Sequence, residues 1–167
     1  MVAGMLLLLT TCAAQATSMT AKDLQVLGRA IAFLLPPPAT GATVAIAYVN
    51  GNAASRSDAE AVAALIGDGL RAGNAVLHPK LVEVAALATT ECAAVIATSG
   101  SNGAALSAAS RSAHALCVTT ELAAVEAGLC AMGIKSEPHV EILINHAAVS
   151  AAGIEFATAF RMMIREI

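Results

Sequence analysis

The chain has 167 residues, with 9 Lys and Arg against 12 Asp and Glu, a net charge of −3 and 57% hydrophobic residues. The basic residues stand as scattered singletons, which excludes a nucleic-acid footprint and a polybasic membrane patch. With no Trp, 1 Tyr and 3 Phe there is almost nothing to stack on bases or sugars, so the core must be built from Ala, Val, Leu and Ile.

In chain order, Met5-Leu6-Leu7-Leu8-Leu9 is a short apolar run, and Ala14-Gln15-Ala16 supplies the small-x-small pattern that signal peptidase reads. The run is too short to span about 30 Å of hydrocarbon. The reading is a cleaved export signal over residues 1–16 and a periplasmic mature chain over 17–167, with no membrane insertion of that mature chain. Cys12 leaves with the signal.

Thr20 to Leu35 reads as a helix, with Thr20 and Asp23 as a capping box and Leu24, Leu27, Ile31 and Leu34 on one face. Pro36-Pro37-Pro38 ends it. Thr43 to Val49 is a continuously apolar strand, closed by Asn50-Gly51-Asn52. Ser57 to Leu70 reads as a helix capped by Ser57 and stopped at Ala72-Gly73-Asn74. Leu81 to Leu87 is the next strand, with helix as its rival because of its alanines, and Ala93 to Thr98 is a third. A helix over Ala104 to Arg111 leads to a fourth strand, Ala115 to Thr119, and then to a short helix or loop over Thr120 to Ala127. Cys130 to Lys135 and Val140 to Asn145 bracket Ser136-Glu137-Pro138 as an antiparallel hairpin. Ala147 to Glu166 reads as a last helix, with Phe156, Phe160 and Met163 on its apolar stripe and a break at Gly153. Apolar bursts separated by Gly, Asn and Ser suit a buried parallel sheet. The fold class is α/β: a single three-layer Rossmann-like domain, with a mostly parallel sheet and an antiparallel C-terminal hairpin.

Three sets of residues carry candidate chemistry. In a parallel sheet, the loops Asn50-Gly51-Asn52, Gly100-Ser101-Asn102-Gly103 and Thr119-Thr120 all meet at the carboxyl edge, where open α/β sheets bind ligands. Simple tight turns are the plainer reading of the same residues. Neither a Walker A pattern nor GxGxxG spacing is present, so no nucleotide cofactor is implied.

Second, Cys92, Cys117 and Cys130 remain after cleavage, an odd number in an oxidising compartment. The alternatives are a Cys117–Cys130 bridge, a bridge through Cys92, and three unpaired core thiols. Third, Met162 falls off the C-terminal stripe, and exposed beside Leu122 or Ile164 it would mark a homodimer or partner surface. His78, His114, His139 and His146 lack metal-ligand spacing, and neither a G-x-S-x-G elbow nor a placed carboxylate pair is found. No metal, cofactor or catalytic residue is expected.

Three stretches resemble the YfiR family of exported regulators. Ala30-Ile31-Ala32-Phe33-Leu34-Leu35-Pro36 with Val44-Ala45-Ile46-Ala47 is similar to the family's first helix, proline stop and first strand. Cys92-Ala93-Ala94-Val95-Ile96 is similar to its cysteine-led strand. Ile142-Leu143-Ile144-Asn145, Ala147-Ala148 and Ala151-Ala152-Gly153-Ile154 are similar to its closing segment. Against the family pattern, Leu35 replaces a Trp, Ile142 replaces an aromatic, and the hairpin's Gly-Gly pair is absent. The resemblance implies a non-enzymatic inhibitor in cyclic-di-GMP signalling. Such a protein binds the periplasmic part of a membrane sensor, a diguanylate cyclase or a histidine kinase, under redox control. The rivals are a small-ligand binding module serving a transporter or outer-membrane receptor, and, more remotely, a hydrolase.

Overall fold

The computed structural model describes residues 18–167, so the export signal read over residues 1–16 lies outside the described residues. In chain order the elements are α1 (Ala21–Ile31), β1 (Leu34–Leu35), β2 (Thr43–Tyr48), α2 (Ala53–Ile66), β3 (Leu70–Ala72) and β4 (Ala75–Glu83). Next come α3 (Val84–Leu87), β5 (Ala94–Ala97), α4 (Ala104–Ser112), β6 (Leu116–Thr119) and α5 (Leu122–Glu126). The chain closes with β7 (Met132–Lys135), β8 (Glu141–Ile144), α6 (His146–Ala151), β9 (Glu155–Phe156), α7 (Thr158–Arg161) and β10 (Arg165–Glu166).

An eight-stranded sheet runs in the order β10-β8-β7-β6-β5-β2-β4-β3. Strands β4, β2, β5, β6 and β7 pair in parallel, while β8 turns back against β7 and β3 against β4. This is a Rossmann-like α/β fold with the antiparallel C-terminal hairpin. The strand pleat divides the core into two layers. Val44, Ile46, Ala94, Ile96, Leu116 and Val118 face α1, α2 and the C-terminal segment. Ala45, Ala47, Val95, Ala97 and Cys117 face α3, α4 and α5. Among the described residues no helix is long and apolar enough to cross a membrane.

The Thr20–Asp23 capping box forms with both of its bonds, and Asp23 Oδ1 also accepts from the Ser136 backbone N–H at 3.1 Å. One carboxylate thus fixes the start of α1 to the end of β7. Burial pushes the Asp23 pKa up, but the hydrogen bonds from Ser136 and Thr20 outweigh it and leave the group below its ordinary value.

The first helix ends at Ile31, with Leu34–Leu35 in strand β1, and of the strand read over Leu81 to Leu87 only the part to Glu83 is strand, Val84–Leu87 being helix α3. Three further segments differ from the sequence reading. Helix α2 starts at Ala53, capped by Asn52 rather than Ser57, because the Asn52 side chain accepts from the Ser55 N–H at 3.1 Å. Gly73-Asn74 is the two-residue turn of a β3–β4 hairpin, not a helix stop; Gly73 takes φ +60°, as such turns require. Strand β4 therefore begins at Ala75 and accommodates Pro79. The His78 N–H points to Ala42 O on the β2 side, so the nitrogen of Pro79 faces away from β2, beyond the stretch that β3 covers.

The predicted C-terminal helix is the third. It ends at Ala151, after which Gly153 turns left-handed at φ +68° and the chain becomes β9, α7 and β10. Phe156 and Phe160 are buried, with centroids 4.8 Å apart, and Phe33 stacks on Phe160 at 5.3 Å. Met163, placed on the core stripe by the helical reading, is instead 64% exposed.

Candidate functional site

The sheet places the ends of β2, β5 and β6 on one edge. The direction of winding reverses between the parallel neighbours β2 and β5: the connection after β2 leads to β4 on one side, and the chain then returns to β5 on the other. That is the topological switch point at which open α/β sheets form a ligand crevice. The loops Asn50-Gly51-Asn52 and Gly100-Ser101-Asn102-Gly103 flank it.

Polar side chains of the protein itself bond across this crevice, although Ser18 Oγ and Asn102 Oδ1 are buried there without a partner among the described residues. Thr98, fully buried at the end of β5, donates to Ala47 O at 2.6 Å. Its single proton is thereby used, so the contact of 3.3 Å between the Ser55 and Thr98 hydroxyls takes its proton from Ser55. Ser55 Oγ in turn accepts from the Val49 N–H at 3.1 Å. This chain of bonds clamps the ends of β2 and β5 together. Beside it, Asp58 Oδ2 accepts from the Ser99 N–H at 2.7 Å and Oδ1 from the Ser18 N–H at 2.8 Å. Ser18 O accepts from Thr120 Oγ1 at 2.6 Å, so the segment before α1 is tied across the carboxyl edge.

The other loop residues join the same network. Ser101 Oγ donates to Thr98 O at 2.8 Å, and Asn102 Nδ2 donates to Thr119 Oγ1 at 3.1 Å. Thr119 Oγ1 also accepts from the Glu121 N–H at 3.1 Å. Gly100 has φ +73°, and a Cβ there would stand 3.2 Å from Asn52 Nδ2, so only glycine lets the two loops close up. Asn50 and Gly51 project into solvent instead. They line a cleft of about 350 Å³ with Tyr48, Arg56 and Glu60. There Arg56 pairs with Glu60 at 2.8 Å and lies 4.6 Å over the Tyr48 ring.

The cysteines divide into a pair and a single thiol. Cys117 in β6 and Cys130 just before β7 form a buried disulfide, with Cα atoms 5.1 Å apart. The 13-residue separation encloses Thr119, Thr120 and α5, so the bridge constrains one of the carboxyl-edge loops. Cys92 is free and half-buried at the opposite, amino edge, before β5. Burial pushes its thiol up to about 11, against the pull of Lys80, which makes it a poor nucleophile at neutral pH.

No family model matches the chain, and no curated protein matches it. What the carboxyl edge can offer a partner is set by its bonding geometry.

That geometry unites most of the predicted loop residues. Asn52, Gly100, Ser101, Asn102, Thr119 and Thr120 belong to one bonded edge, and Gly103 caps α4 without a side-chain bond. Ser18, Ser55, Asp58 and Thr98 are the residues that sequence reasoning missed. The signal for them was the Asn52-x-x-Ser55 capping pair, hidden when the helix start is set at Ser57. The four histidines stay apart, and no group of three His, Cys, Asp or Glu gathers among the described residues. Met162 is 84% exposed, and Ile164 is half-buried against the core.

Proposed function

We propose that the chain is an exported regulatory binding protein of the YfiR type. It holds a membrane-anchored sensor, a diguanylate cyclase or a histidine kinase, through the face made by the carboxyl-edge loops. The observation that carries this reading is the bonded switch-point edge, where Ser55, Asp58 and Thr98 are committed to partners within the protein, with only Ser18 Oγ and Asn102 Oδ1 buried and unpartnered among the described residues. Asn50, Gly51 and Glu121 stand exposed on that surface, available to a protein partner.

The Cys117–Cys130 bridge supplies the redox element. It closes the loop that carries Thr119 and Thr120, so reduction loosens part of the docking face. Cys92, half-buried with its thiol pushed up to about 11, is the less reactive redox candidate.

A second reading, a small-ligand module, has one observation in its favour: the cleft of about 350 Å³ at Asn50, Gly51 and Asn52. Its charged group is already engaged, because Arg56 is held by Glu60 and Tyr48.

Affinity capture from detergent-solubilised membranes tests the proposal. The oxidised protein is expected to retain a membrane-anchored cyclase or sensor kinase, and the reduced protein to retain a different amount. Recovery of neither, in both redox states, contradicts the regulatory reading.

A further inference from the structure

A second concavity, of about 510 Å³, lies at the β3 end of the sheet, where α1 packs along the edge strand. Its size is that of a small-molecule pocket. Leu24, Ile66 and Leu70 form a buried apolar floor. Leu65 lines it as well and is 46% exposed on α2. The wall runs along α1 from Ala21 to Arg29, two turns that extend about 12 Å.

Arg29 and Arg71 line the same cleft. Neither guanidinium has an ion pair or a side-chain hydrogen bond among the described residues. Arg56, Arg161 and Arg165 are each paired with a carboxylate, and Arg111 is held by Ser107. No carboxylate lines the cleft. In a chain of net charge −3, two unpartnered arginines thus line one cleft with an apolar floor.

Gly28 packs the helix that carries Arg29 onto the strand that carries Arg71. Its Cα lies against the Arg71 carbonyl, where the Cβ of any other residue would overlap that oxygen. The same contact seats α1 along β3, and the cleft combines an apolar floor with two arginine side chains. Planar guanidinium groups suit a carboxylate, which they bind through paired N–H donors.

We propose that the α1–β3 cleft binds a single-chain fatty carboxylate, its acyl chain on the Leu24–Leu65–Ile66–Leu70 surface and its headgroup at Arg29 and Arg71. This site is separate from the carboxyl-edge face and does not depend on the docking role proposed for it.

Calorimetric titration of the purified, oxidised protein with decanoate tests this. Saturable binding is expected, while acetate (no tail) and 1-decanol (no charge) bind far more weakly. Arg29→Gln with Arg71→Gln is expected to weaken decanoate binding by roughly tenfold or more. Leu65→Ser, at an exposed position, weakens it through the tail alone. Unchanged thermal unfolding of the variants verifies that they are folded. Absence of decanoate binding, or equal affinity in the double arginine variant, overturns the site. Binding of decyl phosphate without decanoate overturns the carboxylate assignment in favour of a phosphate lipid.

Discussion

At the carboxyl edge Asp58 has both oxygens committed to backbone N–H groups, and Thr98 and Ser55 pass their protons along a closed chain. In the α1–β3 cleft Arg29 and Arg71 have no partner among the described residues, and the apolar floor is open to solvent at Leu65. Both places are concave, and one topological rule would have favoured the first. The carboxyl edge is bonded but not complete, since Ser18 Oγ and Asn102 Oδ1 are buried there without a hydrogen-bond partner among the described residues, so the two places differ in how much of their polar surface is already committed. Polar atoms already bonded to one another hold strands together, whereas unpaired charge beside apolar surface is left for something else to bind.

The comparison can be broken most forcefully at the disulfide. Replacing Cys117 and Cys130 by Ser is expected to cost about 3 kcal/mol in urea unfolding, from lost loop closure in the unfolded chain. It should also expose the Thr119–Thr120 loop to proteolysis before the rest of the domain. A smaller loss, with uniform protease resistance, would mean that the bridge does not hold the carboxyl edge.

Next in size is Asp58→Ala. It leaves the Ser18 and Ser99 N–H groups without their acceptor, at a cost of about 2 kcal/mol. Hydrogen exchange at Ser18 and Ser99 should rise with it, which localises the effect to the closed edge.

Asp23 sharpens the comparison through pH. Its folded pKa is lowered, so its stabilisation is complete above the unfolded value of about 3.9 and is lost as pH falls through the folded pKa. Asp23→Ala leaves the Thr20 and Ser136 N–H groups without their acceptor and is expected to cost about 1–2 kcal/mol at neutral pH, and to flatten the acid limb of the stability curve below about pH 4. An identical acid limb in the variant would contradict the assignment.

The smallest effect belongs to the open cleft. Arg29→Gln and Arg71→Gln are expected to change stability by less than about 0.5 kcal/mol, because neither side chain bonds within the described fold. A larger loss would show that these groups serve the fold after all.

Much of the architecture was legible because its signals are local. Thr20 with Asp23, the continuous apolar run of β2, and the turn at Ser136 to Pro138 each name their element within a few residues. The C-terminal segment was not, because Phe156 and Phe160 keep helical spacing although Gly153 ends the helix and they meet Phe33 instead. The β3–β4 hairpin was hidden for a similar reason: Gly73-Asn74 stops a helix and turns a hairpin equally well.

The candidate site was half visible. Gly, Asn and Thr in loops after strands mark the carboxyl edge, but Asp58 sits inside α2 and reaches Ser99, 41 residues on, only through the fold. Arg29 and Arg71 carry no motif at all. Only the packing of Gly28 against β3 places them along one cleft.

The proposed docking role of the carboxyl edge is tested most directly by photo-crosslinking in intact cells. A crosslinking residue is placed at exposed position 50 or 121 on that edge, or at exposed position 112 at the end of α4 as a control. Adducts with a membrane-anchored cyclase or sensor kinase are expected from positions 50 and 121 and not from 112. No membrane-protein adduct from either edge position, or an equal yield from position 112, would contradict it.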